Sequence, residues 1–595
     1  MCRLDEERGR PARSDLASRP ITEEGADGRR SSRLATAAVT AALLFFVTLS
    51  ASAEQFGPIQ LSVLTSISDG ALSGYNERRF EIVNPSGEPH DVELTIVTPG
   101  YAIRAEVRVR RRFVVPPRAT IEAAVPEMLI GWAPPRQLLV SVDGRHRSPD
   151  LTLPSSNNNY RSVIVLLSRN LPDTRLAAEV KKRGMSPNAY EFTRTSVPPR
   201  MWSTNWLAYT TYGGIAMTAG DWGELPAAAQ TAILRWVRSG GTLLINGGEI
   251  ALPEAYGVEF EGDYTRSHVG FGDLINVPGT LEDVDEELFG RFVKACAISS
   301  SMVDVSDTPP LDSMPLLGEK RMPVGAIFTM LLLFAVLAGP LSLFLLARRE
   351  RRLWIFWTLP LLATLTGCGV IATAVISEGW QRVNRTASVT YLDENSGEAT
   401  TLGLTGVYTT LPPDGQMRFS SETEIRPYAR DGVLELDATD GQQLLAGWVD
   451  SRVSTYFAFR KPERRRERLL LQTHGSSIGA VNGFGSRIVK LWVAQAESGR
   501  IFEADNVEPG AHVTLHETSL TTSKPLPELT LGSPDHWPSW PERLRNDPRG
   551  VLRPGMYVAV LQSSPFADAP LQRPATYSAP GVVIGISKVD LNHAN

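Results

Sequence analysis

The sequence predicts a multidomain chain in which two β-rich regions and one α/β unit built on a parallel sheet surround a two-helix transmembrane hairpin. Three observations predict it. Val324 to Leu346 and Leu353 to Ile376 carry no charged residue, and each is long enough to cross about 30 Å of hydrocarbon. Residues 54–153 and 385–595 consist of short apolar/polar alternations broken by Gly, Pro and Asn turns, the pattern of antiparallel strands. Between Arg161 and Val277, strand-like and helix-like runs alternate, which requires crossover connections and hence parallel strands.

The chain has 595 residues and 42% hydrophobic content, enough for three or four domains with cores of their own. Its net charge of −5, with acids and bases intermixed, gives no electrostatic footprint for nucleic acid. The three cysteines, Cys2, Cys296 and Cys368, fall in three different contexts, so no intrachain disulfide framework is expected.

Residues 1–33 are polar and form a cytoplasmic leader, and 34–53 read as a signal peptide or an uncleaved anchor. The signs are the basic flank Arg29, Arg30 and Arg33, the apolar run Leu34 to Leu49, and Ala51-Ser52-Ala53 before a cleavage point at Glu54. Either version exports the region from Glu54 onward. Arg348, Arg349, Arg351 and Arg352 crowd the short link between the two spans, and the positive-inside tendency assigns that link to the cytoplasm. Two crossings return the chain to the side it left, so both flanking regions are expected outside the cytoplasmic membrane. Trp354, Trp357 and Trp380 sit near the ends of the second span as interfacial aromatics do, and Gly339-Pro340 and Pro360 are expected to kink their helices.

The first exported region, 54–153, holds IQLSVLTSI, RRFEIVN, DVELTIVTP, TIEAAVP and QLLVSVDG, which predict an immunoglobulin-like (Ig-like) β-sandwich. Arg108, Arg110, Arg111 and Arg112 in EVRVRRRFVV read as the solvated face of a strand, with an anionic partner the sharper alternative. The α/β unit spans 155–318. In it SVIVLLS is a buried strand, Asp173 to Arg183 a helix, and Pro226 to Ser239 a second helix with Ala229, Ile233, Trp236 and Val237 on one face. Gly240-Gly241 ends that helix before the strand TLLIN. After the spans at 324–346 and 353–376, residues 385–595 are expected to form one or two β-sandwich units, with Pro525 to Pro554 as a surface crossing.

The stretch GGIAMTAGDWGELPAAAQTAILRWVRSGGTLLINGG and, more loosely, HVGFGDLINV resemble the class I glutamine amidotransferase-like fold of membrane-anchored bacterial envelope proteins. That resemblance implies a flavodoxin-like parallel sheet over about Ser162 to Val277. The order of α/β unit, two-helix anchor and β-rich region likewise resembles uncharacterised bacterial membrane proteins of this type. Active amidotransferases carry a cysteine nucleophile at a strand-to-helix elbow with histidine and acid partners, and this chain has no cysteine there. The resemblance therefore implies the fold without the chemistry.

Asp221 and Glu224 come after GGIAMTAG at the carboxyl end of a parallel strand, where ligands of open α/β sheets bind, and they are the candidate ligand-binding residues. The bland reading makes them cap and turn residues of the helix beginning near Pro226. Cys296 and His268 are a possible nucleophile and base, against a buried structural thiol. Gly475-Ser476-Ser477-Ile478-Gly479 matches G-x-S-x-G, but a turn and a strand come next where a nucleophile elbow needs a helix. His512 and His516 lack a third nearby zinc ligand, and KPERRRER (461–468) reads as a solvated basic loop. With no P-loop, dinucleotide fingerprint, HExxH or CxxC, the expectation is no catalytic residue, no metal and no cofactor. The expected role is a membrane-anchored, non-catalytic envelope binding or assembly protein, whose partners are cytoplasmic membrane lipid and an envelope protein. Two alternatives stand beside it, an auxiliary subunit of a membrane transporter and a hydrolase or amidotransferase-like enzyme.

Overall fold

The computed structural model describes most of residues 53–587; the longer stretches outside it are 1–52, 154–162, 172–189, 302–313, 317–323, 519–551 and 588–595. The leader, the signal or anchor segment, the Asp173–Arg183 helix and nearly all of the Pro525–Pro554 crossing therefore lie outside the described residues. What is described is rich in strands, arranged in several sheets, with two long apolar helices.

Residues 54–153 form eight strands divided between two sheets. Glu54–Phe56, Ile59–Val63, Ser73–Val83 and Thr120–Ile130 make a four-stranded sheet. Glu106–Val115, His90–Thr98, Arg136–Val142 and Arg145–Leu153 lie side by side in the second. Alternation drives both: Val92, Leu94, Ile96, Val107, Val109, Leu138, Val140 and Val142 are buried while the residues between them face outward. The second sheet is not complete on its own. Its outer three strands, Val433–Asp437, Gln442–Leu444 and Met417–Phe419, come from beyond the hairpin.

The join is a parallel pairing that runs from Glu106↔Val433 to Arg110↔Asp437. Leu434 and Leu436 enter the same core as Val107 and Val109. Burying each leucine contributes about 1.5–3 kcal/mol, an upper estimate because denatured chains already bury some apolar surface. On the outer face the charges alternate in register. Arg110 Nε donates to Asp437 at 2.9 Å, Arg108 Nη1 lies 3.9 Å from Glu435, and Arg112 Nε pairs with Glu93 at 2.6 Å. Three of the four arginines thus meet carboxylates within the fold: Arg108 chiefly Glu106 of its own strand at 2.7 Å, Arg112 the neighbouring strand's Glu93, and Arg110 an aspartate 327 positions away in sequence.

The third sheet has the order Tyr190–Arg194, Val163–Leu167, Gly214–Thr218, Thr242–Asn246, Gly272–Val277, all parallel, extended by Tyr264–Val269 and Tyr256–Glu261 antiparallel. Its two faces bury different helices. The Ala227–Arg238 helix presents Ala229, Ile233, Trp236 and Val237, all buried, to the side of Ile164, Leu166, Ile215 and Ile245. Gly240, at φ +110°, then turns the chain into the next strand, a conformation open to glycine at little cost. Helix Glu286–Ser301 covers the other face with Leu288, Phe292, Val293 and Cys296 against Val165, Leu167 and Ala216. Gly214 is required there, because a Cβ at that position would run into the Cys296 sulfur. The first of these two cores is continuous with the core of the N-terminal sheets.

A ten-stranded sheet occupies the C-terminal region, built around the antiparallel pair Arg382–Asp393 and Glu398–Thr409. Lys461 to Arg464 are not a solvated loop as the sequence predicts. They end the strand Thr455–Arg464, and Lys461 is buried with its Nζ 2.7 Å from Asp568. A buried lysine is tolerated in a sheet when it meets a carboxylate; beyond the strand Arg465 pairs with Glu463 and Glu467, while Arg464, Arg466 and Arg468 are exposed, as the predicted loop requires.

Two helices are long and apolar enough to cross a membrane. The first runs as Val324–Val336, a π turn at Leu337–Leu341 and Ser342–Arg348, so the expected disturbance at Gly339-Pro340 takes the form of a widened turn. The Ser342 hydroxyl donates to the Ala338 and Gly339 carbonyls inside that turn. The second, Ile355–Glu378, takes up Pro360 within a continuous helix. The two pack where Gly369 admits the Met330 side chain, and Thr373 Oγ1 donates to Met330 Sδ at 3.4 Å.

Candidate functional site

The parallel strands follow the order 2-1-3-4-5 in chain sequence, so adjacent strands Val163–Leu167 and Gly214–Thr218 send their connections in opposite directions. Their carboxyl ends flank the position where open α/β sheets bind ligands. Ser168 follows the first strand directly, and Asp221 sits in the short helix Ala219–Glu224 after the second. Asp221 is buried. It accepts hydrogen bonds from Ser168 Oγ at 2.6 Å and Asn170 Nδ2 at 2.7 Å, while its own N–H donates to the capping Thr218 hydroxyl at 3.0 Å. Each carboxylate oxygen thus has a donor, and the side chain latches two strand ends together. Glu224, at the end of that helix, is exposed and is not drawn into the cluster. At the next strand end, Asn246 Oδ1 is buried and accepts no hydrogen bond.

Cys296 packs against Gly214 at the start of the strand Gly214–Thr218, the end away from Asp221. It is fully buried against Gly214 and Phe292, and burial, with a further contribution from the Asp273 charge, pushes its thiol well above the usual range. His268 is engaged elsewhere, its Nδ1 2.5 Å from Asp273 Oδ1, and Arg266 donates to the other Asp273 oxygen at 3.1 Å. Ser477 opens the second strand of a hairpin, Leu469–His474 with Ser477–Asn482, so no helix follows the serine as a nucleophile elbow requires. His512 and His516 fall on two different short strands. Among the described residues no cluster of three His, Cys, Asp or Glu side chains has metal-binding geometry.

One constellation has no signature in the sequence. Glu424, with no exposed surface, accepts from Arg426 Nε at 2.8 Å and pairs with Arg460 Nε. Burial alone would raise its pKa, but the two guanidinium groups outweigh it and hold the carboxyl below its ordinary value. Both arginines also reach into the α/β layer. Arg460 Nη1 donates to the Ser239 carbonyl at 3.1 Å and lies 6.0 Å over the Trp206 ring, and Arg426 Nη2 donates to the Thr210 carbonyl at 3.3 Å. Nearby, Tyr75 of the N-terminal sheets donates its hydroxyl to Gln442 at 2.7 Å, and Arg235 bridges Glu398 and Glu422 at 3.2 Å each. Three regions meet at this junction. Its members are separated by as many as 367 positions, so no local spacing reveals them.

No family model and no curated protein matches the chain. Among solved structures, the yeast delta-COP-I mu-homology domain complexed with Dsl1 WxWxV peptide aligns over 34% of this chain and 95% of its own, at 6% identity and a TM-score of 0.17. A calcium binding mutant of Bacteroides uniformis beta-glucuronidase 2 aligns over 76% of this chain and 61% of its own, at 9% identity and a TM-score of 0.13. Similarities at this level carry neither fold nor function to this chain.

Proposed function

We propose that the chain is a membrane-anchored, non-catalytic binding or assembly component whose sheets form one body outside the cytoplasmic membrane. The observation that carries this reading is the parallel pairing of Glu106–Arg110 with Val433–Asp437. Those segments lie on either side of the hairpin, and hydrogen-bonded strands share one compartment. The arginine-rich link at 348–352 supports a cytoplasmic position for the opposite compartment, by the positive-inside tendency. The strand order 2-1-3-4-5 supports a flavodoxin-like, amidotransferase-like scaffold for the α/β unit. Its retention without the chemistry is supported by a buried, protonated Cys296 and an Asp221 whose carboxylate oxygens are already bonded. Protease treatment of intact spheroplasts should cut tags placed after Leu153 and at Asn595 while a cytoplasmic control survives. Protection of either tag sinks the reading. Cross-linking in native membranes should then enrich an envelope protein, and recovery of the chain alone counts against an assembly role.

A second reading, an auxiliary subunit of a membrane transporter, is favoured by the hairpin itself. Leu337, Ala338, Leu341, Ser342, Leu361 and Leu365 line an apolar groove of 310 Å³ at the π turn, a feature that often marks functional positions in helices. Loss of a transport activity on replacing Pro340 with alanine, at unchanged protein level, would favour this reading over the first.

A further inference from the structure

The ten-stranded sheet has one end from which both hairpin helices depart, and we infer that this end is a contact surface for the phospholipid headgroup layer. The inference rests on the reading of the hairpin as membrane-spanning and goes beyond it, since an anchor alone does not bring the body against the bilayer.

Chain continuity fixes the end concerned. The second helix stops at Glu378 and the strand Arg382–Asp393 begins four residues later, a link of at most about 14 Å of extended chain. The segment before the first helix is tied to the same end. The Tyr456 hydroxyl donates to the Met314 carbonyl at 2.8 Å, Arg385 Nη1 donates to the Pro315 carbonyl at 3.0 Å, and Leu316 is buried in the core of this sheet. The first helix also packs on the second through Met330 against Gly369 and Thr373, so the two leave the body together.

Strand register brings a set of outward side chains to that end. Arg382 pairs with Thr409, and two residues past Thr409 stands Leu411, 53% exposed. The Thr409 carbonyl accepts the Arg452 N–H at 2.8 Å, which sets Val453, 49% exposed, beside it. Tyr577, 40% exposed, pairs with Asn384 on the neighbouring strand. Arg382 donates to Gln416 at 2.7 Å, and Arg418, two residues on, is exposed, as is Arg452. In water these apolar groups gain nothing by standing out. At a bilayer surface, Leu411, Val453 and the Tyr577 ring meet the boundary between headgroups and acyl chains, and the guanidinium groups meet phosphate. The headgroup layer is about 5–8 Å deep on each side, within reach of the link and an arginine side chain. Charge-assisted hydrogen bonds from the guanidinium groups favour headgroups with net negative charge over zwitterionic ones.

The test uses the full chain reconstituted into phosphatidylcholine vesicles with and without phosphatidylglycerol. Leu411→Cys carries an environment-sensitive fluorophore in a background of Cys2→Ser and Cys368→Ser, with the buried Cys296 left in place. A control label at Asn395→Cys occupies the turn at the far end of the same strand pair, roughly 37 Å away at about 3.4 Å per residue. Nitroxide on the lipid headgroups should quench the label at 411 several-fold more than the label at 395, and more strongly with phosphatidylglycerol present. Arg418→Gln combined with Arg452→Gln should abolish that lipid-charge dependence. Equal quenching at 411 and 395, in protein that resists alkaline extraction from the vesicles, overturns the surface while leaving the anchor intact. Release by alkaline extraction overturns the membrane-spanning reading itself. Quenching at 411 that ignores lipid charge overturns the role of the arginines.

Discussion

Glu424 is the most consequential single side chain of the junction, because it is a carboxylate without solvent held by two arginines that also bind carbonyls of another layer. Its depressed pKa fixes the sign of a pH effect. The stabilisation from ionised Glu424 is fully present above the carboxylate's unfolded value of about 4.3 and is lost as pH falls through its lower folded value. Urea unfolding in detergent should therefore show a midpoint that declines on the acid side, and Glu424→Gln should remove part of that decline. At neutral pH the same substitution leaves two buried guanidinium groups short of a counter-charge and should cost about 3–5 kcal/mol. An unchanged midpoint in the variant would mean that water enters the junction. Asp221 illustrates the opposite situation. Its position at a strand end is legible in the sequence, but its bonding to Ser168 and Asn170 is not, because those residues precede it by some 50 positions.

Among the elements, the Ala227–Arg238 helix is the most readable. A proline at its start, an apolar stripe of fixed spacing and a glycine pair at its end are local signals, and the structure uses each of them. The strand Val433–Asp437 is less so. VLELD alternates as any strand does, and nothing within it names Glu106–Arg110 as its neighbour. The pairing makes a prediction at this scale. Leu436→Ala should cost about 2–5 kcal/mol through the cavity it leaves among Val109 and its neighbours. By contrast Asp437→Asn should cost at most about 1 kcal/mol, because Arg110 is 35% exposed and solvent screens the pair. Comparing the two unfolding midpoints separates packing from charge as the agent that joins the strands. KPERRRER shows why a basic run is only half legible: Glu463 and Glu467 within it are visible partners of Arg465, whereas Asp568 and Glu398, which meet Lys461 and Arg464, lie far along the chain.

For the whole molecule, the junction and the shared sheet imply that the hairpin link is dispensable for holding the halves together. A protease site inserted between Arg349 and Arg352 and cut in detergent should leave fragments that co-purify through affinity tags on opposite halves. Fragments that separate under native conditions would mean that the interhalf sheet is weaker than its buried leucines and ion pairs imply. Local sequence is enough to establish the two apolar spans, their arginine-rich link, the strand-rich character of the flanks and the helical stripe of the α/β unit. Each of these comes from periodicity, charge or length within a short window, and such signals survive without knowledge of the fold. The assembled fold was needed to reveal that strands from beyond the hairpin complete the N-terminal sheet, that the α/β layer shares its core, and that a buried Glu424 ties the regions together. Those features depend on contacts between residues hundreds of positions apart. Such contacts are chosen by which edges and apolar faces remain uncovered once every local element has formed, and local sequence does not encode that competition.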